Sequence, residues 1–232
     1  MKLTRNDIAG MIDSSIVRPE VDEAELLWFA ESVKKYQYIG AHVLPYFVAE
    51  LNSLLAGEED ILIGTGIGFP FGNNKTPVKV KEAELALNDG CRELDMVINV
   101  SALKSGRTDY VVDDIRALKD VTGERTLKVI LEVHWLTDDQ IKRGCECVMR
   151  GGADFVKTAT GHTPTGATPE NIALIKSVVG DDLSIKASGG VRSLETLVDL
   201  YRLGARRFGI GAVTAENIMA ECDARPGSSV EV

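Results

Sequence analysis

Short apolar runs alternate with longer stretches of helical periodicity from near one end of the chain to the other, and this limits the fold more than any other feature. The strand candidates are Met11–Val17, Ile39–Leu44, Ile61–Gly68, Glu93–Asn99, Leu127–His134, Asp154–Thr160, Leu183–Ser188 and Arg206–Gly211. Between them lie helical segments such as Glu23–Tyr36, Pro77–Asp89, Asp109–Thr122, Thr137–Arg150, Pro169–Val179 and Ser193–Leu203. Crossovers between parallel strands keep one hand, so this succession predicts a single closed (β/α)8 barrel of the α/β class. An open doubly wound sheet is the alternative. Turn chemistry supports the barrel. Gly90-Cys91, Gly152-Ala153 and Gly204-Ala205 repeat one phrase, a glycine at a helix end leading into a strand. Thr137-Asp138-Asp139-Gln140 reads as a capping box. Nothing resembling a linker interrupts the pattern, so residues 1–223 are expected to form one barrel domain and residues 224–232 a frayed tail.

A chain of 232 residues is long enough for one such barrel and for a core that needs no staples. The charge balance, 26 basic against 35 acidic residues, leaves a formal net of -9 with no basic cluster. Nucleic acid and anionic membrane surfaces are therefore not expected partners. The cysteines Cys91, Cys145, Cys147 and Cys222 have neither disulfide-framework nor zinc-site spacing, and suit a reducing cytoplasm. The first residues, Met1 to Asp7, lack a hydrophobic signal core, and no run approaches transmembrane length. A cytoplasmic, soluble protein is the expectation.

Strand parity then separates the polar residues. In a barrel, one parity of each strand faces the helices and the other faces the interior. Leu94, Met96 and Ile98 form an apolar, helix-facing set, which turns Asp95 inward with Val97 and Asn99. Lys157 shares parity with Phe155 and Ala159, and Lys186 with Ser184 and Ser188, opposite Ile185 and Ala187. Glu132 and His134 lie opposite Val129, Leu131 and Val133. A lysine inside a barrel is costly unless paired or neutral. Two on adjacent strands have a chemical use: burial and a neighbouring positive charge both disfavour an ammonium form, which leaves an amine free to attack a carbonyl. An inward carboxylate such as Asp95 can move the protons that carbinolamine and enamine stages require.

At these residues the sequence resembles the deoxyribose-phosphate aldolases. The matching phrases are Glu93-Leu94-Asp95-Met96-Val97-Ile98-Asn99, Leu127-Lys128-Val129-Ile130-Leu131-Glu132, Ala153-Asp154-Phe155-Val156-Lys157-Thr158-Ala159-Thr160-Gly161 and Ile185-Lys186-Ala187-Ser188-Gly189-Gly190-Val191-Arg192. Gly68-Phe69-Pro70-Phe71-Gly72 and Ala102-Leu103-Lys104-Ser105-Gly106 also look like the family. The resemblance implies a class I aldolase with neither metal nor organic cofactor. It implies Lys157 as the Schiff-base lysine, Lys186 as the second lysine beside it and Asp95 as the acid/base acting with a water. Asp13 and Ser15 match the family's first-strand motif, and would support substrate hydroxyls and the lysine network. The implied reaction is reversible cleavage of 2-deoxyribose 5-phosphate into acetaldehyde and glyceraldehyde 3-phosphate. The expected partners are thus a small sugar or sugar phosphate and, as a homo-oligomer, further copies of the chain.

Departures from the family pattern gather where the substrate's far end would sit. His162 follows Thr160-Gly161 where relatives have a basic or other residue, and Phe208-Gly209-Ile210-Gly211-Ala212 replaces a loop that usually carries serines. Phosphate would then rest on backbone N–H groups of Gly189, Gly190, Gly209 and Gly211. A weaker phosphate preference is expected, with a non-phosphorylated or otherwise modified sugar aldehyde as the alternative substrate. A barrel that binds a sugar phosphate without turnover is a third reading. His42 stands where many relatives have Cys and His134 where they commonly have Gly; His42 and His162 join the candidate substrate-binding residues. Gly64-Thr65-Gly66-Ile67-Gly68 is rejected as a nucleotide loop, because Phe69-Pro70 follows instead of a helix.

Overall fold

The computed structural model describes residues 2–232 and opens with a short strand, β1 (Lys2–Thr4), and a short helix, α1 (Arg5–Ala9), ahead of the barrel. Eight parallel strands then close on one another in chain order: β2 (Ile12–Ile16), β3 (Gly40–Val43), β4 (Leu62–Ile67), β5 (Glu93–Val97), β6 (Thr126–Ile130), β7 (Phe155–Lys157), β8 (Ser184–Ser188) and β9 (Ala205–Gly211). The last pairs with the first, Asp13 beside Gly209 and Ser15 beside Gly211. Helices α2 (Glu23–Tyr36), α3 (Val48–Leu54), α4 (Thr76–Asn88), α5 (Val100–Lys104), α6 (Thr108–Thr122), α7 (Asp138–Gly151), α8 (Pro169–Val179), α9 (Leu194–Arg202) and α10 (Ala212–Asp223) surround them. Among the described residues no helix is long and apolar enough to cross a membrane.

Local chemistry sets the helix starts. Asp22, Thr137, Thr168 and Ser193 each cap a helix by accepting from a backbone N–H, and Thr137 with Gln140 closes the expected reciprocal box. The apolar core is a ring between sheet and helices: Leu94, Met96 and Ile98 belong to it, with Val129, Leu131, Ile185 and Ala187. That leaves the opposite parity of the same strands for the barrel interior.

The seventh strand is shorter than expected, ending at Lys157 and not at Thr160, and two other segments differ more. The sixth strand ends at Ile130 rather than His134, because Glu132 takes a left-handed backbone (φ 56°) and a single 3-10 turn follows at Val133–Trp135. The turn is anchored where Glu132 accepts hydrogen bonds from the hydroxyls of Thr160 and Thr163. The tail expected to fray instead carries β10 (Ser229–Glu231), antiparallel to β1, with Leu3 opposite Val230. The N–H of Arg5 donating to the Ser228 carbonyl extends the pairing. A short edge with backbone partners and one buried leucine orders what composition alone marks as loose.

Candidate active site

Register brings the inward polar residues together. Asp95 on β5 lies beside Lys128 on β6, and Lys157 on β7 beside Lys186 on β8, which in turn neighbours Arg207 on β9. Both lysine side chains converge on one carboxylate oxygen: Asp95 Oδ2 is 2.7 Å from Lys157 Nζ and 2.6 Å from Lys186 Nζ. Lys186 also reaches Asp13 Oδ2 at 2.5 Å. Below this pair lies a second layer that parity reasoning left unexamined. Lys128 Nζ sits 2.6 Å from Glu93 Oε1 and 3.3 Å from Asp95 Oδ1, and Arg207 bridges Asp13 and Glu93. Lys128 shares the parity of Ile130 and Glu93 that of Asp95, so the same alternation carried the signal.

The buried ionic cluster thus holds three carboxylates (Asp13, Glu93, Asp95) against four cations (Lys128, Lys157, Lys186, Arg207), one positive charge more than its counter-charges. Burial raises the carboxyl pKa of Asp95, but Lys128, Lys157, Lys186 and His42 together hold it well below the usual carboxylate range. Asp13 is likewise held low against its burial by Lys186, Lys128, Arg207 and His42. Burial acts the other way on Lys186 and, helped by Lys157 and Lys128 against Asp13 and Asp95, brings it down to about 8. Both aspartates are therefore ionised bases at neutral pH, and Lys186 is a poised cation.

A narrow inner pocket of about 30 Å³ is lined by Asp13, Ser15, His42, Asp95, Lys157 and Lys186, with Phe69 and Thr160 at its sides. Lys157 is the more open of the two lysines, at 7% exposure against 1% for Lys186. The pocket shares Ser15, Val17, Thr160, Ser188 and Gly209 with an outer cleft of about 470 Å³ at the C-terminal ends of the strands. Gly161, His162, Gly189, Gly190 and Gly211 line that cleft. So do Arg18, Trp28 and Arg192, which no strand pattern marks. Gly189 and Gly190 have φ of 81° and 102°, which turns this stretch of backbone as only glycine does easily. Helix α10 begins at Gly211 without a side-chain cap, leaving its first N–H groups open to the cleft.

The remaining candidates fall into distinct places. Asp13 is paired with Lys186 and Arg207, and Ser15 donates to the Ile210 carbonyl at 3.2 Å. Thr160 donates to Glu132, and the Nε2 edge of His162 lies 3.2 Å from the Val17 carbonyl across the mouth. His134 stands on the rim with Nδ1 2.8 Å from Thr165 Oγ1, while His42 is buried on β3. The three histidines do not gather into one group. Asp13, His42 and Glu93 do, but Lys128 and Arg207 already supply positive charge to those carboxylates.

Comparison with known proteins agrees with this geometry. The family model described as DeoC/LacD family aldolase matches residues 64–220. The chain is similar to a deoxyribose-phosphate aldolase of Sinorhizobium medicae, 41% identical over 230 residues, covering 99% of this chain and 93% of the relative. Among solved structures it is similar to an aldolase named QR15 (TM-score 0.87, 38% identity, covering 93% of this chain and 95% of that one). It is also similar to a tetrameric deoxyribose phosphate aldolase from Aeropyrum pernix (TM-score 0.85, 26% identity, covering 95% and 93%).

Proposed function

The chain belongs to the DeoC/LacD family of aldolases, and on that premise we propose that it breaks and forms a carbon–carbon bond through a Schiff base on Lys157, with 2-deoxyribose 5-phosphate as the substrate cleaved to acetaldehyde and glyceraldehyde 3-phosphate. The observation that carries this reading is the sharing of Asp95 Oδ2 by Lys157 and Lys186 at the floor of a pocket that opens onto a glycine-lined cleft. Two ammonium groups on one oxygen, in a cluster with one cation in surplus, make loss of a lysine proton the step that restores neutrality. Both lysines line the pocket, and Lys157 is the more open amine of the two.

The amine adds to the C1 aldehyde of the open-chain sugar, and the resulting carbinolamine loses water to give an iminium. Removing the proton from the 3-hydroxyl breaks the C2–C3 bond. Its electron pair moves toward the iminium as an enamine, and glyceraldehyde 3-phosphate departs. Protonation at C2 and hydrolysis then release acetaldehyde and the free amine. Asp95, held ionised, accepts and returns these protons through a water. The Gly189–Gly190 backbone and the start of α10 receive the phosphate, and Arg192 adds a nearby positive charge with no ion-pair partner among the described residues. The reading includes self-association, supported by the tetramer of the Aeropyrum pernix relative. A non-phosphorylated sugar aldehyde is a second reading, favoured by the absence of hydroxyls at Gly211 and Ala212.

Borohydride reduction in the presence of acetaldehyde or 2-deoxyribose 5-phosphate tests the proposal by intact mass and peptide mapping. A reduced adduct on Lys157 is expected. An adduct on Lys186 with Lys157 unmodified reverses the assignment, and no adduct with any aldehyde or ketone rejects it.

A further inference from the structure

His42 is the most buried of the three histidines, 4% exposed, and it lines the inner pocket. Neither of its ring nitrogens has a hydrogen-bond partner. The room for it is built in: on the neighbouring strand the residue in register is Gly64, and a Cβ there would run into the imidazole. Its Nε2 lies 3.5 Å from Asp95 Oδ1 and 3.3 Å from Glu93 Oε1. Asp95 is itself divided. Oδ2 accepts from both Lys157 and Lys186, while Oδ1 makes no hydrogen bond and has only the ion-pair contact of Lys128 Nζ at 3.3 Å. A buried acceptor and a buried potential donor thus face each other slightly beyond bonding distance, and a small movement joins them. An unmade bond between two buried polar groups is expensive, so closure is favoured.

We propose that His42, as the neutral Nε2–H imidazole, is a positioning residue for Asp95: it holds Oδ1 so that Oδ2 stays aimed at the lysine pair. The inference rests on the Schiff-base reading for its effect on turnover. The groups facing the ring are Asp13 from β2, Glu93 and Asp95 from β5, Lys128 from β6 and Lys186 from β8. Among them the cluster already carries one cation in surplus, so the useful donor is one that adds no charge. Histidine in its neutral form meets that requirement where lysine or arginine would not. Burial and Lys186 push the His42 pKa below its ordinary value, against the pull of Asp95 and Asp13, so this form prevails at neutral pH. On the acid side, protonation makes the ring a competitor of Lys157 and Lys186 for Asp95.

The test compares the full-length protein with His42→Gln, which keeps a neutral donor that does not titrate, and His42→Leu, which removes it. With 2-deoxyribose 5-phosphate as substrate, His42→Leu is expected to lower kcat by about tenfold or more while KM moves less than about threefold. His42→Gln is expected to stay within about threefold of the unmodified kcat and to lose the histidine step from the acid limb of its pH–rate profile. Nitrogen-15 NMR of the imidazole is expected to show the Nε2–H tautomer, with its titration shifted further to acid by Asp95→Asn.

An unchanged kcat in His42→Leu overturns the proposal. So does a rise in KM at constant kcat, the mark of a mere pocket wall, or a His42→Gln variant as impaired as His42→Leu. Should His42→Leu not fold, the acid limb of His42→Gln and the tautomer decide; an unmoved limb or an Nδ1–H ring indifferent to Asp95→Asn overturns it. If the unmodified protein turns over no aldehyde, the Schiff-base reading fails, while the NMR result still judges the His42–Asp95 pairing.

Discussion

The inner pocket and the outer cleft meet at Ser15, Thr160 and Gly209 yet are built in opposite ways. The inner pocket consists of buried charge: seven ionic side chains on six strands, each fixed by two or more others or by a shared carboxylate. The outer cleft relies on backbone, with glycines at Gly189, Gly190, Gly209 and Gly211, and of the two arginines lining it Arg18 is tied to Glu20 and Glu25. A charge cluster buried in low dielectric tolerates deletion poorly, because the groups left behind lose close partners that water cannot replace. A backbone cradle tolerates changes of side chain and loses only the contacts those side chains supplied. The chemistry should therefore be brittle and the substrate's far end adjustable.

The sharpest way to break this contrast is at Lys157. Lys157→Arg keeps a positive charge beside Asp95 but cannot form an imine, so turnover should drop by more than about a thousandfold and borohydride trapping should vanish while the circular dichroism spectrum is retained. Appreciable turnover in that variant would remove Lys157 from the mechanism. Next in size is Lys128→Met, at a residue that does not itself line the pocket and yet gives Glu93 and Asp95 a close cation. A loss of about 3–5 kcal/mol in urea unfolding is expected. A loss near zero would mean that the lower layer is not the support it resembles.

Lys186 sharpens the comparison through pH. Its folded-state pKa, about 8, lies below the value near 10.4 of an exposed lysine. Between those two values the unfolded chain binds a proton that the folded chain does not, so stability contributed by this group rises with pH across the window. The gain is at most about 3 kcal/mol. Asp13 and Asp95 have the opposite signature: their stabilisation is complete above the ordinary carboxylate range and is lost as pH falls through their depressed values. Chemical denaturation from about pH 7 to pH 10.5 should thus show a rising component that Lys186→Met abolishes. An identical slope in the variant would show that Lys186 keeps its proton throughout.

The inner pocket was readable because strand parity is a strict two-residue rule. Leu94, Met96 and Ile98 fix the outward face of β5, and that alone turns Asp95 inward; the same holds for Lys186 between Ile185 and Ala187. Applied without exception, the rule also reaches Lys128, Glu93 and Arg207, which share the inward parity of Ile130, Asp95 and Gly209. It fails beyond Ile130, where the left-handed Glu132 ends the alternation that would have carried β6 to His134. No local pattern announces such a residue, since Glu132 is held by Thr160 and Thr163, about thirty positions on. Arg18 and Trp28 reach the cleft from the first loop and α2, and only the closing of the barrel brings them there. Gly64 and Gly66, rejected as parts of a nucleotide loop, have a packing reason instead: a Cβ at either would meet the rings of His42 or Phe69.

The outer cleft gives the finest test, because the contrast predicts that its selectivity can be raised without touching the chemistry. Gly211 has φ -60°, an ordinary value for any residue, and a Cβ there meets nothing within 4 Å. Serine at this position therefore enters without strain and presents a hydroxyl at the start of α10. A hydrogen bond to a charged phosphate is worth about 1.5–3 kcal/mol. The ratio of kcat/KM for 2-deoxyribose 5-phosphate to that for 2-deoxyribose should rise by about tenfold or more in Gly211→Ser, with kcat for the unphosphorylated sugar unchanged. His162 offers little competing effect, since its Nε2 is directed at the Val17 carbonyl, and His162→Ala should change both substrates alike. The new hydroxyl has one alternative use, as a cap for α10, and thermal unfolding separates the two. A higher Tm with an unaltered substrate ratio means that the serine turned toward its own helix. A ratio already spanning several orders of magnitude in the unmodified protein would show that the glycine backbone suffices alone, and the outer cleft would then be as finished a site as the charged pocket beneath it.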